Sequence, residues 1–326
     1  MIRKLTAAAL AASFVLAASA SVEAKPTVKI GTLAPKQSPW GKVFSAWEKA
    51  VEQRTNGEVD VVWLWNGTAG PEHNVVGKIR SGQLTGAAIT AVGLSAIHKP
   101  IVALQMPGAF KSWAQLDKAR DALKPQFDKA MVGEGFYVSG WGDVGIGRMM
   151  SRGFPLILPN DMKGKAPGQI REDIIGPKVL EVIGGVTSKP ASVTEFLPLL
   201  NSGAINVLTT PALAAEQLQW ASRLDHINTG VIGFGVGATV LSEKELSKLD
   251  PAHRKIMEET GAVATRALTG RIRKADDESF VRLKAKMKVH EMTPAERTEW
   301  EKVWQKACQR VKSALPGDVL SKIGYC

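Results

Sequence analysis

Cysteine is almost absent: the 326 residues hold two, Cys308 and Cys326, both near the C-terminus. That excludes a small fold stapled by a disulfide framework. The five histidines (His73, His98, His226, His253, His290) are scattered and share no metal-ligand spacing with one another or with the cysteines, so no metal site is expected. Gly 31 and Pro 17 are too few for a collagen-like chain. There is no P-loop, zinc-protease helix, nucleophile elbow or Asp-rich calcium loop. Past the N-terminus no apolar run is long enough to span a bilayer. What is present is ordinary for a globular protein, with 44% hydrophobic and 22% charged residues. The length suggests about two domains at roughly 150 residues each.

The N-terminus has the pattern of an export signal. Arg3 and Lys4 precede an apolar stretch from Leu5 to about Ala18, and Val22-Glu23-Ala24 offers small residues for cleavage. Residues 1–24 are thus expected to be removed on export to the periplasm, with Lys25 first in the mature chain. In that oxidising compartment Cys308 and Cys326 either close a loop that pins the tail or remain free thiols. The formal net charge is +11. Many of the basic residues are interleaved with acids between Lys244 and Lys288, unlike a nucleic-acid patch with clustered Arg and aromatics. A face toward an anionic envelope, a field that draws in anionic ligands, or solubility alone accounts for it. Asp276-Asp277-Glu278 reads as part of the same solvated face.

Strand and helix signals alternate. Thr27–Thr32 is β-branched; Ser38 and Pro39 then suit the N-cap and first turn of a helix with Val43, Phe44, Trp47 and Val51 on one face. Strands are expected over 59–65 and 84–90, with a helix from Pro71 between them, giving a parallel sheet with right-handed crossovers. Further strand signals lie at 135–141, 204–209, 226–234 and 237–242, and helical ones at 116–132, 174–183, 194–202 and 211–220. One helical pattern runs from Pro251 to about Lys288 and another from Pro294 to about Ala314. The spacing suggests two α/β lobes on two open sheets, with residues 25–141 and about 226–250 in the first and 142–225 in the second. Residues 251–326 supply a long helix able to bridge them and the C-terminal helices. Ligands of open α/β sheets lie beyond the C-terminal strand ends. The glycines of Gly233-Phe234-Gly235-Val236-Gly237 are misplaced for a dinucleotide loop and read as an inter-lobe connection.

Together these segments resemble the solute-binding receptors of tripartite ATP-independent periplasmic (TRAP) transporters, the dicarboxylate-receptor family. The resemblance covers about Val28 to Trp304 and is marked by IGTLAPKQSPWGKVFSAWEKAV, ALQMPGAFKSW, GWGDVG, LPNDMKGKAPG and FLPLLNSGAINVLTTP. It implies a two-lobed, type II-like periplasmic binding protein with a hinged cleft, a long helix spanning both lobes, and no cofactor. Its partners would be a small organic ligand, an organic acid or a bulkier, partly apolar compound, and the membrane permease subunits of a TRAP transporter. The family's carboxylate-binding Arg, in an R-x-P-G pattern, has no equivalent here. Met162-Lys163-Gly164 runs directly into Lys165-Ala166-Pro167-Gly168, which puts Lys165 near that position. Lys is a point charge and lacks the fork of Arg; Arg148 and Arg171 are the substitutes at hand. The candidate ligand residues are Trp40, Asn66, Trp141, Asp143, Lys165, Thr210, Trp220 and Phe234. Trp65 and Thr209 lie beside them at strand ends. The rival reading is an exported enzyme using Asp143 and Lys165 in the same cleft; a third is an envelope protein that interacts through its basic face.

Overall fold

Thr27–Thr32 (β1) buries Val28 and Ile30 on alternate positions, as a strand covered by helices should. The structure is a computed structural model that describes residues 25–326, so the expected export signal at 1–24 lies outside the described residues. The chain continues through Pro39–Arg54 (α1), Asp60–Leu64 (β2), Glu72–Arg80 (α2), Gly86–Thr90 (β3), Ala91–Leu94 (α3), Trp113–Gly133 (α4) and Phe136–Ser151 (β4). Gly168–Ile170 (β5), Gly176–Ile183 (α5), Lys189–Ala191 (β6), Phe196–Ser202 (α6), Val207–Pro211 (β7) and Ala212–Gln217 (α7) follow. His226–Asn228 (β8), Gly233–Ser242 (β9), Glu243–Leu246 (α8), Pro251–Lys284 (α9), Lys288–His290 (β10), Pro294–Lys312 (α10) and Val319–Lys322 (α11) complete it.

The parallel β1–β2 and β1–β3 pairings are those expected from the βαβ order. The two open sheets are not separate. One sheet runs β10-β8-β4-β9-β3-β1-β2, with β7 also on β4, and only β5–β6 stands apart. Strands β4 and β9 pair antiparallel along Phe136–Gly147 and run through both lobes. The sequence suggested a strand ending at Trp141 because Gly140, Gly142, Gly145 and Gly147 look like a loop. They pair instead with the equally glycine-rich start of β9, and the register shifts at Val138/Gly140 and Asp143/Gly145. Gly145 has φ +136, and a Cβ there would lie 2.6 Å from Pro211 and 2.7 Å from Asp276.

The 34-residue α9 packs on α1, α7 and β4, so it touches elements of both lobes. Trp47 Nε1 donates to Thr260 Oγ1 at 3.0 Å, fixing α1 to it. Its buried stripe passes through Leu268, Ile272, Asp276, Ser279 and Leu283. Asp276 is therefore not on a solvated face as the sequence suggested. It falls in helical register with the apolar stripe and accepts from Ile146 N at 2.8 Å and Leu213 N at 2.9 Å, tying β4 and α7 to the helix. Asp277 and Glu278 are exposed. Cys308 and Cys326 form a disulfide, with Cα atoms 6.0 Å apart, that holds the tail against α10. Closing a loop of this size stabilises by roughly 3 kcal/mol.

Candidate functional site

Where β4 and β9 pass between the lobes, a cavity of about 380 Å³ opens between them, within the usual range for small-molecule sites. Glycines of both strands (Gly142, Gly147, Gly233, Gly235) leave room for it. Its first-lobe wall includes Trp40 at the start of α1, Phe44, Ile89 and Thr90. The second lobe gives Pro167-Gly168-Gln169, Phe196, Leu208, Thr209, Thr210 and Trp220. Helix α10 closes the back with Trp300 and Trp304, each 1% exposed. These two belong to one apolar face with Ala307, Cys308 and Val311. The i, i+4 spacing signals that face in the sequence, but not which cavity it meets.

Among the candidates, Trp40, Asp143, Thr210, Trp220 and Phe234 line the cavity. Trp40 Nε1 donates to the Asp143 carbonyl at 3.3 Å, linking the start of α1 to β4. Trp220 packs on Phe196 and Phe234 on Trp113, with ring centroids 5.5 and 4.7 Å apart. The other three candidates lie off the wall. Trp141 points to α4, where its Nε1 donates to Asp128 at 2.9 Å, because the strand's alternation puts it opposite the cavity. Asn66 is an exposed turn residue with φ 56, a left-handed conformation that Asn tolerates. Lys165 sits with its ammonium 4.1 Å from the centre of the Phe154 ring. Trp65 stacks on Trp63 at 5.3 Å.

The two arginines considered as substitutes are also elsewhere. Arg171 is exposed beside Glu195 at 3.5 Å. Arg148 is buried with its guanidinium 3.6 Å from the centre of the Phe280 ring and 4.0 Å from Asp276 Oδ2, on the α9 side of β4. Burial pulls its pKa down, against the opposing pull of Asp276.

Asp143 is fully buried and spent on ion pairs. Arg120 of α4 donates to it at 2.6 Å and Arg273 of α9 at 2.7 Å. Asp117 joins the same group, 2.7 Å from Arg120 and 2.5 Å from Arg273. The hydrogen bond from Arg273 holds the Asp117 carboxyl below its ordinary pKa, against partial desolvation. Sequence reasoning missed Arg120, Arg273 and Asp117; Asp117 and Arg120 are a local i,i+3 pair, but their links to Asp143 and Arg273 span 23 to 156 positions and give no local pattern. Asp143 and Lys165, the pair an enzyme reading required, do not meet in the cavity.

Two more carboxylates reach the wall. Glu72 accepts from Thr90 N at 2.8 Å, Thr90 Oγ1 at 2.6 Å and Gly93 N at 3.2 Å. Asp173 accepts from Ile175 N, Gly176 N and Gln169 Nε2 at 2.8, 3.1 and 2.6 Å. In both, burial pushes the pKa up and these hydrogen bonds offset only part of it. At the cleft mouth His73 Nδ1 of α2 approaches Glu172 Oε1 to 2.8 Å without hydrogen-bond alignment. Among the described residues, no group of three or more His, Cys, Asp and Glu is arranged to hold a metal.

Residues 30–314 match the family model described as bacterial extracellular solute-binding protein, family 7. The curated relatives are distant. A C4-dicarboxylate-binding periplasmic protein of Shewanella loihica is 23% identical over 299 residues, 87% of this chain and 85% of that one. A solute-binding protein of Chromohalobacter salexigens is 24% identical over 173 residues, 53% of this chain, and the match spans about half (51%) of that relative's length. In fold, the chain is similar to a TRAP periplasmic solute-binding protein of Sulfurospirillum deleyianum solved with bound succinate, with a TM-score of 0.86 at 16% identity. That match covers 92% of this chain and 98% of the other.

Proposed function

The chain belongs to the family 7 bacterial extracellular solute-binding proteins, and we propose that it is the solute receptor of a TRAP transporter. It is exported to the periplasm, takes up one small organic molecule between its lobes, and delivers it to the membrane permease subunits. It is a binding protein and not an enzyme. The single observation behind this reading is the cavity of about 380 Å³ at the strands β4 and β9 that both lobes share. Two strands with glycines at their register shifts are a natural hinge, and ligand binding shifts the balance toward the closed form. The His73–Glu172 contact across the mouth belongs to that closed form.

Native mass spectrometry of the protein purified from its own host tests this. Release of one small molecule per chain on denaturation, unchanged after prolonged incubation, is the expected result. Conversion of that molecule to a product by the native protein would overturn the receptor reading in favour of an enzyme.

A further inference from the structure

The cavity wall carries no positive side chain. Among the described residues that line it there is no Lys, Arg or His, while Glu72, Asp143 and Asp173 do line it. A buried carboxylate needs an opposite charge or a set of donors, or its desolvation costs several kcal/mol. The nearby cations are held or turned away from the cavity, with Arg148 Nε left unpartnered. Arg120 and Arg273 are held by Asp117 and Asp143, Arg148 lies on Phe280 on the other side of β4, and Lys165 lies on Phe154.

Backbone donors could replace a cation, since the N–H groups that open a helix bind anions well. Here the chain's own carboxylates hold them. Glu72 takes Thr90 N and Gly93 N at the start of α3, and Asp173 takes Ile175 N and Gly176 N at the start of α5. An incoming anion would meet these acids where it needs donors. The rest of the wall is mostly aromatic and aliphatic, including Trp40, Phe196, Trp220, Phe234, Trp300 and Trp304, with uncharged polar groups such as Gln105, Thr209 and Thr210.

We propose that the cleft of this receptor takes an uncharged, largely apolar small molecule and discriminates against carboxylates. The proposal rests on the receptor reading above and names its ligand class. The three lining acids do not make the cleft a cation site. Asp143 is neutralised by two guanidiniums, and the hydrogen bonds within the chain occupy both oxygens of Glu72 and of Asp173.

A matched pair of probes tests this on the mature protein stripped of bound ligand by reversible unfolding. N-phenyl-1-naphthylamine is uncharged at neutral pH; 8-anilino-1-naphthalenesulfonate is the same skeleton with a sulfonate. Cleft binding is the part of the fluorescence signal lost in Thr209→Trp, because Thr209 is an exposed residue of the cavity wall and the indole fills the space before it. The expected result is one cleft-bound neutral probe per chain, with affinity at least tenfold above that of the sulfonate, and no displacement by millimolar succinate. If the sulfonate binds the cleft as tightly, or succinate displaces the neutral probe, the receptor reading stands and the ligand class is overturned. If neither probe nor succinate gives a signal that Thr209→Trp removes, both readings fall. Arg148→Met adds a control. It should leave the ratio of the two probes within twofold, and a selective loss of sulfonate or succinate binding would mean Arg148 serves the cleft.

Discussion

Two charged regions lie side by side in this molecule and use charge in opposite ways. Asp117, Arg120, Asp143 and Arg273 join α4, β4 and α9 through two guanidiniums and two carboxylates. The cavity wall next to them has acids but no cation. Asp143 belongs to both, with its backbone on the wall and its carboxylate in the cluster. Arg120 and Arg273 thus hold the first lobe to the spanning helix. A positive net charge therefore says little about a binding site. Of the +11 on the chain, none faces the cleft as a side chain among the described residues.

The largest expected effect comes from breaking the cluster. Asp143→Asn leaves two guanidiniums, 10% and 20% exposed, with only Asp117 between them. Removing one partner of a buried ion pair costs about 3–5 kcal/mol. Urea unfolding should show a loss of that size. A loss under about 1 kcal/mol would mean that the cluster is solvated and contributes little to joining the three elements.

A smaller effect is expected from moving charge in the other direction. Thr209→Arg puts a guanidinium on the exposed part of the cavity wall, where it can meet a carboxylate or sulfonate in a fork geometry. Cleft affinity for 8-anilino-1-naphthalenesulfonate should rise about tenfold, or roughly 1.4 kcal/mol, with the neutral probe little changed. An unchanged sulfonate affinity would show that something other than the missing cation excludes anions. Weaker still, His73→Ala removes a half-exposed contact across the mouth. It should speed probe release by no more than about fivefold, in line with a surface pair worth up to about 1 kcal/mol.

How much of this was legible in the sequence differs by region. Helix α1, with its Ser38 cap and the buried face Val43, Phe44, Trp47 and Val51, reads directly from local pattern. So do the parallel pairs of β1 and the long α9, because propensity, capping and periodicity agree there. The passage of β4 into the second lobe did not read, since glycine spacing signals a loop unless the partner strand is known. The cleft was half legible. Trp40, Trp220 and Phe234 lie at strand ends or helix starts that the topology brings together. Trp300 and Trp304 come from a distant helix, and the roles of Glu72 and Asp173 depend on which backbone N–H groups they meet. The cation-free wall is a property of side-chain direction: Lys165 is two positions from the cavity residue Pro167 yet turns to Phe154.

The smallest expected effect is a pH dependence of stability. Asp117 is the partly exposed acid of the cluster, and its pKa is held down chiefly by the hydrogen bond from Arg273. A carboxylate with a lowered native pKa stabilises the fold at pH values above its unfolded value, about 3.9, and that contribution is lost as pH falls through the native value. Asp117→Asn should therefore be modestly less stable than the parent at pH 6, with the difference closing as pH falls below about 4. Unfolding midpoints across pH 2.5–6 check this. A gap that persists at the lowest pH would assign the loss to packing. Glu72 behaves with the opposite sign, because burial raises its native pKa; its ionised form opposes folding as pH rises from its unfolded value, about 4.3, through the native one. The acid in the ion cluster thus adds stability on ionising, and the acid on the cavity wall gives some up, as expected for a desolvated carboxyl with no cation beside it.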